Sequence, residues 1–261
     1  MLRALYVSLA AFAMIFVLGI PLVFYAAITG NTDALYRVGV YCAGLVLRIA
    51  GVRLEVRGRE KIPVGRAVLF MSNHQSNADP PALLASLPPV LFLAKKEAFR
   101  IPVLGRAMRM RGFVPVDRKS RGRAAQAIDE AAEALRDGKS FLVFPEGTRS
   151  FNGRLQPLRK GVFVMALRAG APIVPVSVSG ATRIMRKGEW AIHSGLIRIT
   201  LQDPVRTENR SLEDRDVVME EVRNAILKGL ETEEWGSDDL WHDRAAASGV
   251  EKRGGLESRA E

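Results

Sequence analysis

In the stretch "NHQSNAD" a histidine and an aspartate, His74 and Asp79, have four residues between them, after the apolar run "AVLFM" and before "PPALL". An aspartate folded back onto the imidazole would fix its tautomer and raise the basicity of the free ring nitrogen, which could then take a proton from an attacking hydroxyl. A plainer reading also fits: Asp79 caps the next helix by accepting from the Ala82 amide, Pro81 having none, and His74 is an ordinary loop histidine. The other histidines, His193 and His242, lie far along the chain, and the single cysteine, Cys42, sits in an apolar run. No intrachain disulfide is possible, and no zinc site is expected.

Three further blocks bear on that choice. "FPEGTRS" places Glu146, Gly147, Thr148 and Arg149 at the end of a strand-like run, where glycine permits close backbone approach and a guanidinium fork can hold a phosphate. A plain turn with a solvated arginine is the competing reading. "GFVPVDR" repeats the pattern with Gly112 and Arg118, and from Arg100 to Arg123 there are eight basic residues against one acidic. "IVPVSVSG", which contains Pro175, reads by itself as a core strand.

These blocks need a scaffold. "RLEVRG", "AVLFMS", "VLFLA", "FVPV", "SFLVF", "PIVPVSVSG" and "LIRITL" are β-branched or aromatic runs bounded by Gly, Pro or charge and predict seven strands. Helices are predicted over 80–87, 98–110, 120–137, 158–169 and 212–230, with Ser120 as an N-cap and Ser211 with Asp214 as a capping box. Alternation of the two implies an α/β fold, a mostly parallel central sheet flanked by helices. His74 to Asp79 is then a strand-to-helix loop, the usual seat of a site in such a sheet.

Ahead of the sheet, Ala4 to Ile28 is a run of 25 uncharged residues, long enough as a helix to cross a hydrocarbon core of roughly 30 Å. It is too long for the apolar region of a signal peptide. Residues 35–52 have only ten uncharged residues between Arg37 and Arg48, which predicts a partner helix lying in the interface with both arginines reaching toward headgroups; a buried helix of the soluble domain is the alternative. The expected organisation is membrane-anchoring helices over 1–52, an α/β domain over 53–230 and a disordered tail over 231–261.

Net charge is +10, and residues upstream of the acidic tail hold 34 basic against 19 acidic side chains. A basic body suits an anionic partner such as phospholipid, and the few aromatics argue against stacking on nucleic acid. Basic residues soon after the apolar segment favour a cytoplasmic catalytic domain on an inner (cytoplasmic) membrane.

The four blocks, in this order and spacing, resemble the glycerolipid acyltransferase family, especially its bacterial 1-acylglycerol-3-phosphate acyltransferases. His74 and Asp79 match the first block, Gly112 and Arg118 the second, Glu146, Gly147 and Arg149 the third, and Pro175 the fourth. The resemblance implies His74 as general base and Asp79 as its orienter. Arg118, Glu146, Gly147, Thr148, Arg149, Gly112 and Pro175 are expected at the acceptor's binding surface.

It also implies a lysophospholipid acceptor, an acyl-CoA or acyl carrier protein donor, the bilayer as a partner, and no cofactor, metal or nucleic acid. Another lysophospholipid, glycerol 3-phosphate or a lyso-aminolipid as acceptor, or a non-catalytic anionic-lipid-binding protein, stand as alternatives. Transfer should be direct, since the chain offers no G-x-S-x-G elbow and its cysteine lies in the membrane-proximal segment. Pro80 and Pro81 remove two amides from the helix start, so amides at Gln75 to Asn77 or near Gly147 are the expected oxyanion donors.

Overall fold

The computed structural model describes residues 2–230; the expected disordered tail and His242 lie outside the described residues. All seven predicted strands form: β1 (Val52–Arg57), β2 (Leu69–Ser72), β3 (Leu91–Lys95), β4 (Val114–Val116), β5 (Phe141–Val143), β6 (Ile173–Ser179) and β7 (Gly195–Leu201). They make one sheet in the order β1-β7-β6-β2-β5-β3-β4. The five strands from β6 to β4 run parallel, β7 pairs antiparallel with β6, and β1 runs parallel to β7. The sheet is therefore mostly parallel, with a reversed pair at one edge.

Helices α1 (Leu2–Ala13), α2 (Gly19–Thr29) and α3 (Thr32–Ile49) precede it; α4 (Asp79–Ser86), α5 (Leu104–Arg111), α6 (Arg121–Arg136), α7 (Gly161–Ala169), α8 (Ala181–Ile184) and α9 (Arg215–Lys228) follow or alternate with strands. Two apolar cores explain why the central strands read as unbroken apolar runs rather than alternating ones, since both faces are covered. Leu69, Met71, Phe141, Val143 and Ile173 face a core built with α6, α7 and α9. Phe70, Leu142, Val174, Val176 and Val178 face the other, completed by Leu47 of α3 and by Ala82 and Leu83 of α4. Capping follows the sequence: Ser120 accepts from the Arg123 amide, and Ser211 with Asp214 forms the capping box.

One predicted helix is broken. Instead of a continuous 98–110 helix there is a 3₁₀ turn at Lys96–Arg100 and then α5 from Leu104. Pro102 drives Ile101 into an extended conformation (ψ 122°), and Val103 takes a positive φ of 63° that a β-branched residue adopts only under constraint. Its side chain lies where a Cβ on Gly19 would stand 2.8 Å from Val103 Cγ1, so this kink is the seat of the N-terminal helix. Val23, Ala26 and Leu35 complete that contact against Val103, Ala107 and Met110.

α1 and α2 are joined by a π-helical turn at Met14–Leu18, and together span 28 residues from Leu2 to Thr29 with little of their surface covered by protein. By length and composition this helix can cross a membrane. α3 packs on α4, β1 and α5, with Leu47 in the main core, while Arg37 and Arg48 are exposed.

Candidate active site

The C-terminal ends of β6, β2 and β5 are neighbours, and the loops leaving them meet. The loop after β2 carries His74. It is pinned first by Asn73, whose side-chain amide donates to the Val178 carbonyl at 2.8 Å and accepts from the Val178 N–H at 2.7 Å, taking the place of a ladder partner on β6. The loop from β5 then grips both main-chain groups of the next residue. Glu146 Oε1 accepts from the His74 N–H at 2.5 Å, and the Ser150 N–H donates to the His74 carbonyl at 2.8 Å.

Asp79 is fully buried, and its Oδ2 accepts from His74 Nδ1 at 2.8 Å and from the Gln75 and Ser76 amides at 2.7 and 2.8 Å. The capping alternative is thereby excluded: Ala78 is the N-cap residue, no side chain caps α4, and the Ala82 amide donates to the Ala78 carbonyl. A carboxylate oxygen can only accept, so Nδ1 carries the proton of that bond, and in the neutral ring the lone pair lies on Nε2. The imidazole stacks on Phe144 with centroids 4.0 Å apart, and the His74 side chain stays 16% exposed.

The same bonds overturn part of the oxyanion expectation. The Gln75 and Ser76 amides are committed to Asp79 and cannot also serve a reacting carbonyl. On the facing loop the Thr148 and Arg149 amides make no hydrogen bond within the described residues.

Glu146 is buried, and its second oxygen accepts from the Gln156 amide at 2.8 Å. Burial, with the nearby charge of Asp79 adding, pushes its carboxyl up to about 8, against the pull of the two amides and Lys187. Gly147 sits at φ 71°, and a Cβ there would overlap the Arg159 guanidinium. Arg118 donates to the Gly147 carbonyl, Arg159 Nε to the Glu146 carbonyl at 3.3 Å, and the half-buried Arg149 side chain has no ion-pair partner among the described residues. Three guanidinium groups thus gather on one turn. Lys187, which no motif singled out, secures it by donating to the Arg149 carbonyl at 2.7 Å and to Thr148 Oγ1 at 3.3 Å.

Gly112 and Pro175 are placed differently. Gly112 ends α5 at φ 92°, where its positive φ lets the chain turn into β4. Pro175 is buried within β6 opposite Met71, and its carbonyl accepts from Gln202. Both shape backbone rather than present a polar group. Beside the site lies a cavity of about 1310 Å³, with Leu93, Val143 and Phe144 in its apolar wall and Arg118, Gly147 and Arg159 along one side. Phe144 thus both stacks on His74 and belongs to the lining of this space. Among the described residues no cluster of His, Cys, Asp or Glu could hold a metal ion.

Fold and site together define an α/β protein in which a buried aspartate accepts a hydrogen bond from a partly exposed histidine beside an arginine-rich loop. A family model described as Acyltransferase matches residues 53–179. The chain is 33% identical over 180 residues to the chloroplastic 1-acyl-sn-glycerol-3-phosphate acyltransferase BAT2 of Brassica napus, covering 68% of this chain and 51% of that one. It is 34% identical over 179 residues to the Homo sapiens 1-acyl-sn-glycerol-3-phosphate acyltransferase alpha, covering 68% and 63%. It thus spans between about half and just under two thirds of the length of these relatives.

The crystal structure of the 1-acyl-sn-glycerophosphate (LPA) acyltransferase PlsC from Thermotoga maritima superposes with a TM-score of 0.74 at 28% identity, covering 87% of this chain and 94% of that one. Residues 53–179 thus carry an acyltransferase domain, similar to that of these 1-acyl-sn-glycerol-3-phosphate acyltransferases.

Proposed function

We propose that the protein moves a fatty acyl group from a thioester donor, acyl-CoA or acyl carrier protein, to the sn-2 hydroxyl of 1-acylglycerol 3-phosphate, giving phosphatidic acid. The observation that carries this reading is the bond between His74 Nδ1 and a fully buried Asp79 oxygen, which fixes the ring so that Nε2, in the neutral tautomer, is the nitrogen left to act as base. An alcohol is a weak nucleophile and a thioester is already activated, so the main chemical need is a positioned base, worth roughly a hundredfold to ten-thousandfold.

In this account Nε2 takes the hydroxyl proton as oxygen attacks the thioester carbon. The tetrahedral oxyanion collapses with cleavage of the C–S bond, and the imidazolium returns the proton to the departing sulfur. Asp79 keeps the ring oriented and stabilises its transient charge. The unpaired Thr148 and Arg149 amides are suited to the oxyanion. Arg149, with Arg118 and Arg159 beside it, is suited to the acceptor phosphate, which a guanidinium can grip bidentately.

Glu146 acts by holding the His74 main chain in place, and Gly147 by admitting the Arg159 guanidinium close to the turn. Gly112 and Pro175 contribute through the shape of β4 and β6. The N-terminal helix anchors the domain to the membrane, α3 lies at the interface with Arg37 and Arg48 toward headgroups, and the catalytic domain faces the cytoplasm.

The test is a reconstituted transfer assay that crosses acyl-CoA and acyl carrier protein donors with 1-acylglycerol 3-phosphate, glycerol 3-phosphate and other lysophospholipids. Turnover confined to 1-acylglycerol 3-phosphate supports the reading, and preference for another acceptor replaces it.

A further inference from the structure

Beyond the N-terminal helices, only two aromatic side chains among the described residues are strongly exposed, Phe151 at 68% and Trp190 at 90%. They lie on two different loops, yet the loops are joined. Lys187 Nζ sits 3.7 Å from the Phe151 ring centroid while donating to the Arg149 carbonyl, and Trp190 follows it by three residues. The second loop is also tied to the His74 loop, since Ser76 Oγ donates to the Met185 carbonyl at 2.7 Å. The loops that carry both aromatics are therefore tied to the loops of the proposed active site.

Their surroundings are cationic. Residues 148–154 and 183–190 together hold five basic residues, Arg149, Arg154, Arg183, Arg186 and Lys187, and one acidic residue, Glu189. That acid pairs with Arg186. A large apolar ring left in water beside basic side chains is poor surface for a soluble protein, but it matches the boundary of an anionic bilayer, where Trp is enriched and Lys and Arg meet headgroups.

We infer that Phe151 and Trp190 form a second membrane contact, separate from the N-terminal helix, that inserts into the headgroup region of an anionic bilayer and sets the mouth of the site on the lipid surface. The inference deepens the proposed function, because an acceptor held in the bilayer would then reach His74 without leaving it. The contact need not be strong. A domain already tethered by α1 and α2 meets the surface at high effective concentration, so two rings and a few cations suffice to orient it.

The full chain has three tryptophans, and replacing Trp235 and Trp241 by Phe leaves Trp190 as the sole emitter. That protein is placed in nanodiscs of phosphatidylcholine and phosphatidylglycerol, with or without lipids brominated near the headgroup. The expected result is blue-shifted emission that bromine quenches at least about twofold, as for an interfacial tryptophan. Emission open to aqueous iodide and untouched by bromine overturns the inference. So does shielding from both quenchers, which would mean that another protein surface covers the loop.

A functional arm uses Phe151→Ser with Trp190→Ser. Turnover should fall several-fold on vesicle-embedded acceptor and hold on acceptor dispersed in detergent; equal loss in both media would overturn the inference. If the unaltered chain transfers no acyl group in either medium, the proposed function fails while the quenching result still decides the membrane contact.

Discussion

The main-chain N–H of His74 donates to the side chain of Glu146, a residue 72 positions away on the loop from another strand, at 2.5 Å. The histidine is therefore held by its backbone from β5's side and by its ring from Asp79, two independent constraints on one side chain. As the proposed base, a histidine fixed in this way would lose little freedom when substrate arrives, which is what a proton transfer of defined geometry needs.

The Glu146 contact predicts a pH signature. The carboxyl sits at about 8 in the folded chain against an ordinary 4.5, chiefly because it is buried. Between those values the unfolded chain has released the proton and the folded chain retains it. Stability is thus fully present below about 4.5 and falls as pH rises toward 8, by an amount on the order of a few kcal/mol. Glu146→Gln removes the titration but sets an amide donor against the Gln156 N–H, costing about 1–3 kcal/mol at pH 5. Melting temperature followed from pH 5 to 8 should decline in the native protein and stay flat in the variant, so that the two converge.

Asp79→Asn separates charge from shape. An Asn oxygen in the place of Oδ2 keeps all three N–H partners, while Oδ1, which has no partner, becomes a buried donor without an acceptor. The expected stability loss is about 1–3 kcal/mol. Turnover should drop by at least about tenfold, because the imidazolium formed during transfer loses its counter-charge. Chemical unfolding and initial rates on one preparation check both halves; unchanged turnover would remove Asp79 from the mechanism.

Arg149→Ala should raise the acceptor KM about tenfold or more, or abolish activity, with little change in melting temperature, since the side chain pairs with no described residue. The donor KM should move far less. A rise confined to the donor would reassign this arginine to the thioester side.

Two substitutions bear on the oxyanion. Pro80→Ala restores an amide to α4 and should leave turnover within a few-fold, whereas a change of about tenfold or more would bring that helix end into the site. Gly147→Ala forces a Cβ into the Arg159 guanidinium at a backbone angle of φ 71°, displacing the turn that bears the Thr148 and Arg149 amides. A fall of about a hundredfold, the loss of one donor, is the expected outcome in steady-state rates.

Much of this was legible in the residues. Buried parallel strands write themselves as short β-branched runs, and "AVLFMS", "SFLVF" and "PIVPVSVSG" form the adjacent β2, β5 and β6 whose ends carry the site. His74 and Asp79 were visible because an unusual residue pair met a strand-to-helix junction. The helix expected over 98–110 was not correctly read, since the pattern there favours a helix while Pro102 and the Val103 kink serve a tertiary contact with Gly19.

The grip of Glu146 on His74, the clasp of Asn73 on Val178 and the tie from Lys187 were also invisible. Each joins residues from 38 to 105 positions apart, and only the closed sheet brings them together. Arg159 belongs with them: it lies outside the recognised block yet sits against its glycine.

The most direct measurement is single-turnover transfer by His74→Ala in nanodiscs, with donor and 1-acylglycerol 3-phosphate supplied together and folding verified by thermal melting. With the base removed and the arginine-rich loop intact, the account predicts a rate lower by about a hundredfold to ten-thousandfold at nearly unchanged melting temperature. A folded variant that transfers acyl groups at close to the native rate would contradict it.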